Sequence, residues 1–171
     1  MNALIRPMRI QDIETVRAIE RASATRFQGT ALAAIADDEP TDARTLEARI
    51  RTDDALVCVD DTDTPIAFVI ARPLGADIYV EQIDVSPEHG GKRLGAALLA
   101  AMAARGPALA LSTFRDIPWN APWYRRLGFV DIADDALPPL LRHIHAEHIE
   151  RGLDESLRVF MHRAPGPMPQ V

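Results

Sequence analysis

The chain has 171 residues, of which 47% are hydrophobic and 5% aromatic, enough for one globular domain with a full core. A net charge of −6 without a basic stripe argues against a nucleic-acid surface, and no apolar run is long enough to span a membrane. The lone Cys58 lies in an apolar run and permits no disulfide within the chain, so we expect a cytoplasmic protein without a signal peptide.

The first third of the chain is predicted to be mostly helical. Pro7 ends a short first strand, because proline donates no hydrogen bond to a sheet. Ile13, Val16 and Ile19 recur at helical spacing, and Leu46 marks the inward face of a second helix. The predicted elements are a strand at residues 3–6, helices over residues 11–25 and 41–51, and a less regular segment over residues 26–40.

Strands dominate the rest of the chain and are separated by three helices. Leu94, Leu98 and Met102 recur every four residues among alanines, which is typical of a helix packed on an apolar surface. The predicted strands cover residues 56–59, 66–71, 78–85, 108–111, 129–132 and 157–161, and the helices residues 94–105, 118–126 and 138–152. We expect residues 1–163 to form one domain and residues 164–171 to be a flexible tail.

The order of these elements predicts an α/β domain layered around a mixed sheet. A strand meander is followed by a strand–helix–strand crossover, whose helix lies between Gly91 and Arg105. Such crossovers are right-handed, and the two strands that they join run parallel. The strands at Asp77 and Ala108 are therefore predicted to be parallel neighbours.

A strand, a glycine-bearing turn and a helix N-terminus follow one another at the centre of the chain. Gly90, Gly91 and Gly95 lie between the strand end at Pro87 and the helix. The first N–H groups of a helix lack partners, its dipole favours negative charge, and glycine lets a phosphate approach the backbone. The glycine spacing fits neither a Walker loop nor a dinucleotide fingerprint. We therefore predict an anion site here; the alternative is an ordinary strand-to-helix connection with glycines for tight packing.

The sequence V-S-P-E-H-G-G-K-R-L-G resembles the acyl-CoA pyrophosphate loop of the GNAT superfamily of N-acetyltransferases, V-x-P-x-x-[QR]-G-x-G-x-[GA]. The positions that match this pattern are Val85, Pro87, Gly91 and Gly95. Gly90 stands where Gln or Arg is usual, and Arg93 stands where Gly is usual and adds a cation facing the phosphates. The cofactor-binding residues that the resemblance implies here are Ile83, Asp84, Val85, Gly90, Gly91, Lys92, Arg93, Leu94, Gly95 and Ala96.

The segment from Leu111 to Phe129 resembles a second recurring GNAT segment, in which an Asn precedes an aromatic–Tyr pair and then x-x-x-G-F. The corresponding residues are Asn120, Trp123, Tyr124, Gly128 and Phe129. Two segments in the family's order are much harder to obtain by chance than one, so the chain is identified as a member of the superfamily. The resemblance implies the GNAT-type acyl-CoA N-acyltransferase fold, with a mixed, mostly antiparallel twisted sheet of about six or seven strands and helices on both faces. In that fold the strands at Asp77 and Ala108 splay apart, and the pantetheine arm of the cofactor enters the gap.

The reaction that the resemblance implies is transfer of an acetyl group from acetyl-CoA to a primary amine of a small molecule or a peptide. The unprotonated amine attacks the thioester directly, which gives a tetrahedral intermediate and then a thiolate. Tyr124 is the expected proton donor to the thiolate, the alternative being a core aromatic on a short helix. Asn120 is expected to bond the cofactor arm, the alternative being a helix N-cap. A backbone N–H near Ile83 or Asp84 is the expected oxyanion donor.

Glu81 is the candidate base, acting directly or through water. Strand alternation puts it on one face with Tyr79, Ile83 and Val85, toward the cofactor. The alternative is a solvated or ion-paired carboxylate. For the whole chain, the alternative to an enzyme is a noncatalytic acyl-CoA-binding or regulatory module with the same fold.

The sequence does not specify the acceptor amine. Residues 26–39 and the loop before Leu157 are expected to recognise it, and their acidic residues favour a cation. His143, His145 and His148 are expected to be surface residues rather than metal ligands, because no Cys or carboxylate pair accompanies them at a known spacing. We expect no metal, nucleic-acid or membrane partner, whereas acyl-chain preference and homodimer formation stay open.

Overall fold

A computed structural model describes residues 4–169 and contains, within them, seven strands in one sheet and five α-helices. The strands are β1 (Leu4–Pro7), β2 (Ala55–Val59), β3 (Pro65–Leu74), β4 (Asp77–Val85), β5 (Leu109–Phe114), β6 (Val130–Ile132) and β7 (Arg158–Arg163). The α-helices are α1 (Ile13–Ala24), α2 (Ala43–Arg51), α3 (Leu94–Ala103), α4 (Ala121–Arg126) and α5 (Pro139–Glu150). Ala3, the first residue of the predicted first strand, lies outside the described residues.

The strands lie in the order β1-β2-β3-β4-β5-β7-β6. The pairs β1–β2, β2–β3, β5–β7 and β6–β7 are antiparallel, whereas β4 and β5 run parallel. The mixed sheet and the parallel neighbours that the crossover predicts are therefore confirmed. The helix between those two strands is α3, the most apolar of the helices, as expected for a connection covered by other parts of the fold.

Several element ends differ from the prediction for reasons visible in the backbone. Pro7 was expected to stop β1 but is its last paired residue. β5 extends to Phe114, because β7 pairs with it as far as Arg158. The helix predicted from residue 118 begins only at Ala121, since the backbone of Asn120 is not helical (φ −109°, ψ −115°).

The chain divides into two compact units, each with its own core. The first comprises the chain up to Arg72 together with Gln82–Met102. Its core joins apolar side chains of α1, α2, β2 and β3, which include Ile13, Val16, Ile19, Leu46, Val57, Phe68 and Ile70. The inward faces predicted for the first two helices are thus confirmed. Cys58, on β2, is buried as predicted.

The second unit comprises Pro73–Glu81 and the chain from Ala103 onward. Its core joins one residue each of β4, β5 and β7 to two residues of α5 and to Leu137, which lies two residues before that helix. These core residues are Tyr79, Ala110, Phe160, Leu137, Leu141 and Ile144. Three backbone carbonyls of the predicted tail, at Ala164, Gly166 and Pro167, accept hydrogen bonds from Arg163. Among the helices of residues 4–169, none combines the length and the apolarity needed to cross a membrane.

Candidate active site

The predicted anion site lies in the first unit, where the chain passes from β4 into α3. Gly91 and Arg93 both have a left-handed backbone, with φ of 75° and 60°. The first backbone bond of α3 runs from Ala97 N–H to the carbonyl of Arg93, at 3.0 Å. Within residues 4–169, the six N–H groups from Gly91 to Ala96 donate to no protein acceptor. Because consecutive donors and a helix dipole favour an anion, this segment has the chemistry of a phosphate site.

The two departures from the family pattern in this loop have different consequences for the backbone. Gly90 has an ordinary φ of −55°, so its conformation does not require glycine. Arg93 stands where the pattern has Gly and keeps the left-handed conformation, which costs a non-glycine residue about 1–2 kcal/mol. Arg93 therefore has a backbone conformation that glycine adopts freely, at an energetic cost to the free protein.

Replacing Arg93 by Gly is expected to raise the free energy of unfolding by about 0.5–1 kcal/mol, because relief of strain outweighs the added freedom of the unfolded chain. The same change should weaken CoA binding several-fold, since a guanidinium beside the phosphates is lost. Urea unfolding and calorimetry measure the two effects. Lys92→Gly is the matched control, because Lys92 has no left-handed backbone and its replacement should destabilise the fold. Unchanged CoA affinity in Arg93→Gly would leave Arg93 without a role in binding.

In the second unit, β4 and β5 part soon after they meet. Their registered pairs within residues 4–169 are Ile78 with Leu109 and Tyr79 with Ala110. β5 continues to Phe114 and there pairs only with β7 on its other side. The edge of β5 beyond Ala110 therefore offers an extended ligand those peptide groups that neither β7 nor Arg158 engages, in the way that an edge strand accepts another strand.

Asn120 precedes α4, but its side chain does not cap that helix. Its Nδ2 donates to Thr113 Oγ1 on β5 at 2.8 Å, and its backbone carbonyl accepts from the N–H groups of Trp123 and Tyr124. The Oδ1 atom is buried and has no hydrogen-bond partner among residues 4–169. The N-cap alternative is therefore wrong for this side chain. A buried amide oxygen without a donor costs about 1–3 kcal/mol, so a ligand N–H is the partner that its position suits.

Tyr124 lies on α4, one turn after Asn120, with 7% of its surface exposed. Its ring makes edge contacts with Trp123 and Phe129, at centroid distances of 4.8 and 5.4 Å. These contacts fix the plane of the ring. Core packing and a catalytic role of the phenol are thus compatible at this residue.

Two carboxyl groups of the first unit, on Asp84 and Glu20, were not expected as a pair. The Asp84 carboxylate accepts hydrogen bonds from the Ser23 hydroxyl and from Gln82 Nε2, the latter at 2.5 Å. Glu20 accepts from the N–H and the hydroxyl of Thr41, both at 3.0 Å. Burial raises the pKa of Asp84 to about 6 and that of Glu20 to about 7, and the charge of Asp84 adds to the rise at Glu20. Both carboxyl groups therefore change protonation near neutral pH.

The sequence assigned Asp84 a cofactor role and gave no role to Glu20 or Ser23. One signal was available, because Ser23 follows Ile19 by four residues and so places a polar group on the buried stripe of α1. The predicted cofactor residues Ile83, Asp84, Val85, Gly90, Gly91, Lys92, Arg93, Leu94, Gly95 and Ala96 all belong to the first unit. Glu81, Asn120 and Tyr124 belong to the second.

The histidines of α5 do not all lie on the surface. His143 is exposed, but His148 is buried, with its Nδ1 2.7 Å from Glu155 Oε1 and its ring stacked on Phe160. The surface location predicted for His148 is therefore wrong, because Glu155 supplies a buried partner. His145 Nε2 lies 3.8 Å from the other Glu155 oxygen. Across residues 4–169, no group of three or more His, Cys, Asp or Glu side chains is arranged to hold a metal ion.

Comparison with known proteins gives one family model and many similar folds. Residues 52–131 match the model described as an acetyltransferase (GNAT) domain. The N-acetylglutamate synthase of Neisseria gonorrhoeae, complexed with coenzyme A and N-acetyl-glutamate, aligns with 97% of this chain at a TM-score of 0.72 and 18% identity; the chain spans 36% of the synthase.

Two further similar structures match over nearly their whole length. The PaiA N-acetyltransferase of Thermoplasma acidophilum, in complex with coenzyme A, has a TM-score of 0.67 and 18% identity, with 96% of this chain and 99% of that chain covered. The ribosomal-protein-S18-alanine N-acetyltransferase of Escherichia coli has a TM-score of 0.62 and 16% identity, with 98% of this chain and 96% of that chain covered. At these identities the likeness establishes the fold, and the predicted GNAT-type fold is confirmed.

Proposed function

We propose that the chain, whose residues 52–131 match the model of an acetyltransferase (GNAT) domain, transfers an acetyl group from acetyl-CoA to a primary amine of a small molecule or a peptide. The observation that carries this proposal is the run of six N–H groups, from Gly91 to Ala96, without a protein acceptor. The pyrophosphate of CoA has the negative charge and the acceptor oxygens that such a run of donors needs.

The second unit offers a place for the pantetheine arm of the cofactor. An extended chain of amides suits the edge of β5 beyond Ala110, where pairing with β4 has ended. The unpaired Oδ1 of Asn120 accepts one of the amide N–H groups. Both features support acetyl-CoA as the cosubstrate, because the edge of β5 has lost its pairing with β4 and the Asn120 oxygen is buried without a donor among residues 4–169.

The chemistry that we propose needs only groups of this chain. The acceptor nitrogen forms a bond to the thioester carbonyl carbon, and the C–S bond of the resulting tetrahedral intermediate breaks with its electron pair on sulfur. The phenol of Tyr124 gives its proton to that thiolate. A carboxylate takes the proton that the attacking nitrogen loses. In this scheme an N–H near Ile83 or Asp84 stabilises the oxyanion.

Glu81, partly buried on β4, is the base that we propose, and its replacement by Gln is expected to remove the acidic limb of the kcat/KM profile. Asp84 is the rival, because its pKa of about 6 suits a base that works near neutral pH. Measuring pH profiles of Glu81→Gln and Asp84→Asn separates the two. A Glu81→Gln enzyme that keeps its acidic limb would dismiss Glu81, and loss of that limb in Asp84→Asn would assign the role to Asp84.

The match to the acetyltransferase (GNAT) model supports a primary amine as the acceptor, and the names of two similar proteins refer to an acetylated amino acid, N-acetyl-glutamate, and to the alanine of ribosomal protein S18. Residues 26–39, with their acidic residues, are the part of the chain that we propose recognises the acceptor. The single buried Cys58 suits a reducing compartment, and we propose the cytoplasm.

The test of the proposed function is release of CoA thiol from acetyl-CoA with a panel of primary amines. A catalytic enzyme releases thiol at a rate that depends on the amine, whereas a noncatalytic acyl-CoA-binding module binds CoA and releases none. Calorimetric titration with CoA is measured in parallel. Absence of CoA binding would contradict the assignment of the Gly91–Ala96 segment.

A further inference from the structure

Arg158, the first residue of β7, has a guanidinium that is held in place on β5 by one residue. Its Nε donates to Ser112 Oγ at 3.0 Å, and its Nη2 donates to the Ser112 carbonyl at 3.1 Å. The guanidinium carbon lies 4.7 Å from the centre of the Phe114 ring, above its face. Within residues 4–169, Nη1 donates to no protein acceptor. One edge of the guanidinium is thus occupied, whereas the edge formed by Nη1 and the second hydrogen of Nη2 is available to a ligand.

The carbonyl that holds this guanidinium points into the gap between β4 and β5. Residues of an antiparallel strand alternate between those whose peptide groups bond to the partner strand and those whose peptide groups point away from it. The N–H of Arg115 bonds to the Leu157 carbonyl at 2.9 Å, so by this alternation the peptide groups of Ser112 point away from β7. In agreement, the Ala108 carbonyl, which has the same place in the alternation, accepts from the N–H of Ile78 on β4. The guanidinium therefore reaches the edge of β5 that β4 has left.

The guanidinium and the residue expected to bond the cofactor arm lie on opposite faces of β5. Successive side chains of a strand alternate between its faces, so Ser112 and Phe114 share one face and Thr113 lies on the other. Asn120 donates to Thr113, which places the start of α4 on the Thr113 face. Arg158 is opposite Phe114 in register and holds Ser112, so it lies on the Ser112 face. A molecule that approaches the gap from the Ser112 face meets Arg158 and does not pass α4.

The charge of Arg158 has no hydrogen-bonded anion among residues 4–169. Glu155 Oε1 lies 3.8 Å from Arg158 Nε, too far for a hydrogen bond, and the same oxygen lies 2.7 Å from His148 Nδ1. The Arg158 side chain is 17% exposed. Burial lowers the pKa of Arg158 by more than its neighbours raise it, so the loss of hydration is not fully offset within the protein. A largely buried guanidinium in this condition favours an anionic ligand, because charge-assisted hydrogen bonds are the strong ones.

The chemistry of the two substrates indicates which of them brings the anion. The charged groups of acetyl-CoA are its phosphates, for which the Gly91–Ala96 segment is the proposed site, whereas its pantetheine arm and acetyl group are neutral. An anion at the gap therefore belongs to the acceptor. Glu155 would repel the second charge of a phosphate more than the single charge of a carboxylate. A planar carboxylate also matches the two parallel N–H groups at the open edge of the guanidinium.

We propose that Arg158 binds the carboxylate of the acceptor, which makes the acceptor a free amino acid rather than the N-terminus of a peptide. This inference rests on the proposed function. Because the guanidinium is held at the edge of the gap, the attacking nitrogen and the carboxylate must belong to one small molecule and lie only a few bonds apart. An amino acid meets this condition. In a peptide, the group next to the terminal amine is a neutral amide, which leaves Arg158 without its anion.

The experiment measures kcat/KM in thiol release for the common amino acids and for their amides, which lack the carboxylate and imitate the first residue of a peptide. The unaltered protein should prefer at least one amino acid to its amide. Arg158→Gln should lower kcat/KM for that amino acid about 30-fold or more, mainly through KM, and leave the value for the amide within about threefold. An unchanged ratio of the two values in a folded Arg158→Gln protein, or a general preference of the unaltered protein for amides, would overturn the proposal.

Two further variants test the same site. Glu155→Gln removes the anion nearest to the guanidinium and should raise the preference for the amino acid several-fold; a lowered preference would contradict the proposal even if Arg158→Gln does not fold. Arg115→Gln is the matched control, because Arg115 Nη2 donates to the Arg158 carbonyl at 2.7 Å. This change removes one positive charge from the same part of the fold and leaves the Arg158 guanidinium in place. Its ratio should stay unchanged, and a loss equal to that of Arg158→Gln would reject a specific role of Arg158.

Calorimetric titration of the same amino acids into the CoA-saturated protein separates this proposal from the proposed function, because it needs no turnover. If the unaltered protein released no thiol with any amine, the proposed function would fail, while binding that is lost in Arg158→Gln would still support the carboxylate site. Thiol release at equal rates with amino acids and amides would reject the role of Arg158 and leave the proposed function intact. Weaker binding of CoA itself in Arg158→Gln, with the ratio unchanged, would assign the guanidinium to the cofactor and overturn the proposal.

Discussion

Replacing Tyr124 by Phe is expected to lower kcat about 100-fold or more and to leave the Kd for CoA within about twofold. The change removes only the phenol oxygen, and the ring keeps its edge contacts with Trp123 and Phe129. Without that O–H the thiolate must take its proton from water, which is not positioned for the transfer. Steady-state thiol release and calorimetric CoA binding measure the two quantities.

Tyr79→Phe is the control for this experiment, because Tyr79 is the other tyrosine of the chain and packs in the core of the second unit. Its kcat should stay within about threefold of the unaltered enzyme. Wild-type turnover in Tyr124→Phe would remove Tyr124 from the mechanism and leave it a purely structural aromatic. A large loss of kcat in Tyr79→Phe, without one in Tyr124→Phe, would indicate that the proton donor is Tyr79 on β4.

Replacing Gly91 by Ala is expected to weaken CoA binding by about tenfold or more. Gly91 has a φ of 75°, which a residue with a Cβ adopts only under strain, although no atom lies within 4 Å of the added carbon. Relaxing the strain would turn the N–H groups of the loop away from the phosphates, and the new methyl group would stand where a phosphate approaches. Calorimetry with CoA measures the loss of affinity.

Gly152 provides a close match for this change, since its φ is 77° and it too has no atom within 4 Å of an added Cβ. Gly91→Ala and Gly152→Ala should each cost about 1 kcal/mol of unfolding free energy. Only Gly91→Ala should affect CoA binding. An equal affinity in the two variants would show that the loop does not bind the cofactor phosphates.

The parts of the fold and site that the sequence predicts are those set by neighbours along the chain. The start of α3 and the parallel pairing of β4 with β5 follow from helical spacing and the handedness of crossovers. Asn120 was singled out by its motif, and its unpaired Oδ1 fits the role in cofactor binding that was predicted for it.

The parts that the sequence does not predict are those that join distant segments. Ser23 meets Asp84 across 61 positions, and Arg158 meets Ser112 across 46. No periodicity or spacing in one sequence states which remote polar groups come together, even where helical spacing marks one partner, Ser23, as buried. His148 was misplaced for the same reason, because its partner Glu155 lies beyond the end of its helix.

The early parting of β4 from β5 has a consequence for how long the protein survives. In the free protein, water must satisfy those peptide groups of β5 beyond Ala110 that neither β7 nor Arg158 engages, whereas a pantetheine arm would replace the missing strand. A ligand that binds only the folded chain adds about 2.7 kcal/mol to the unfolding free energy at a hundredfold excess over its Kd. We therefore expect starvation for acetyl-CoA to shorten the lifetime of this protein in the cell as well as to slow its reaction.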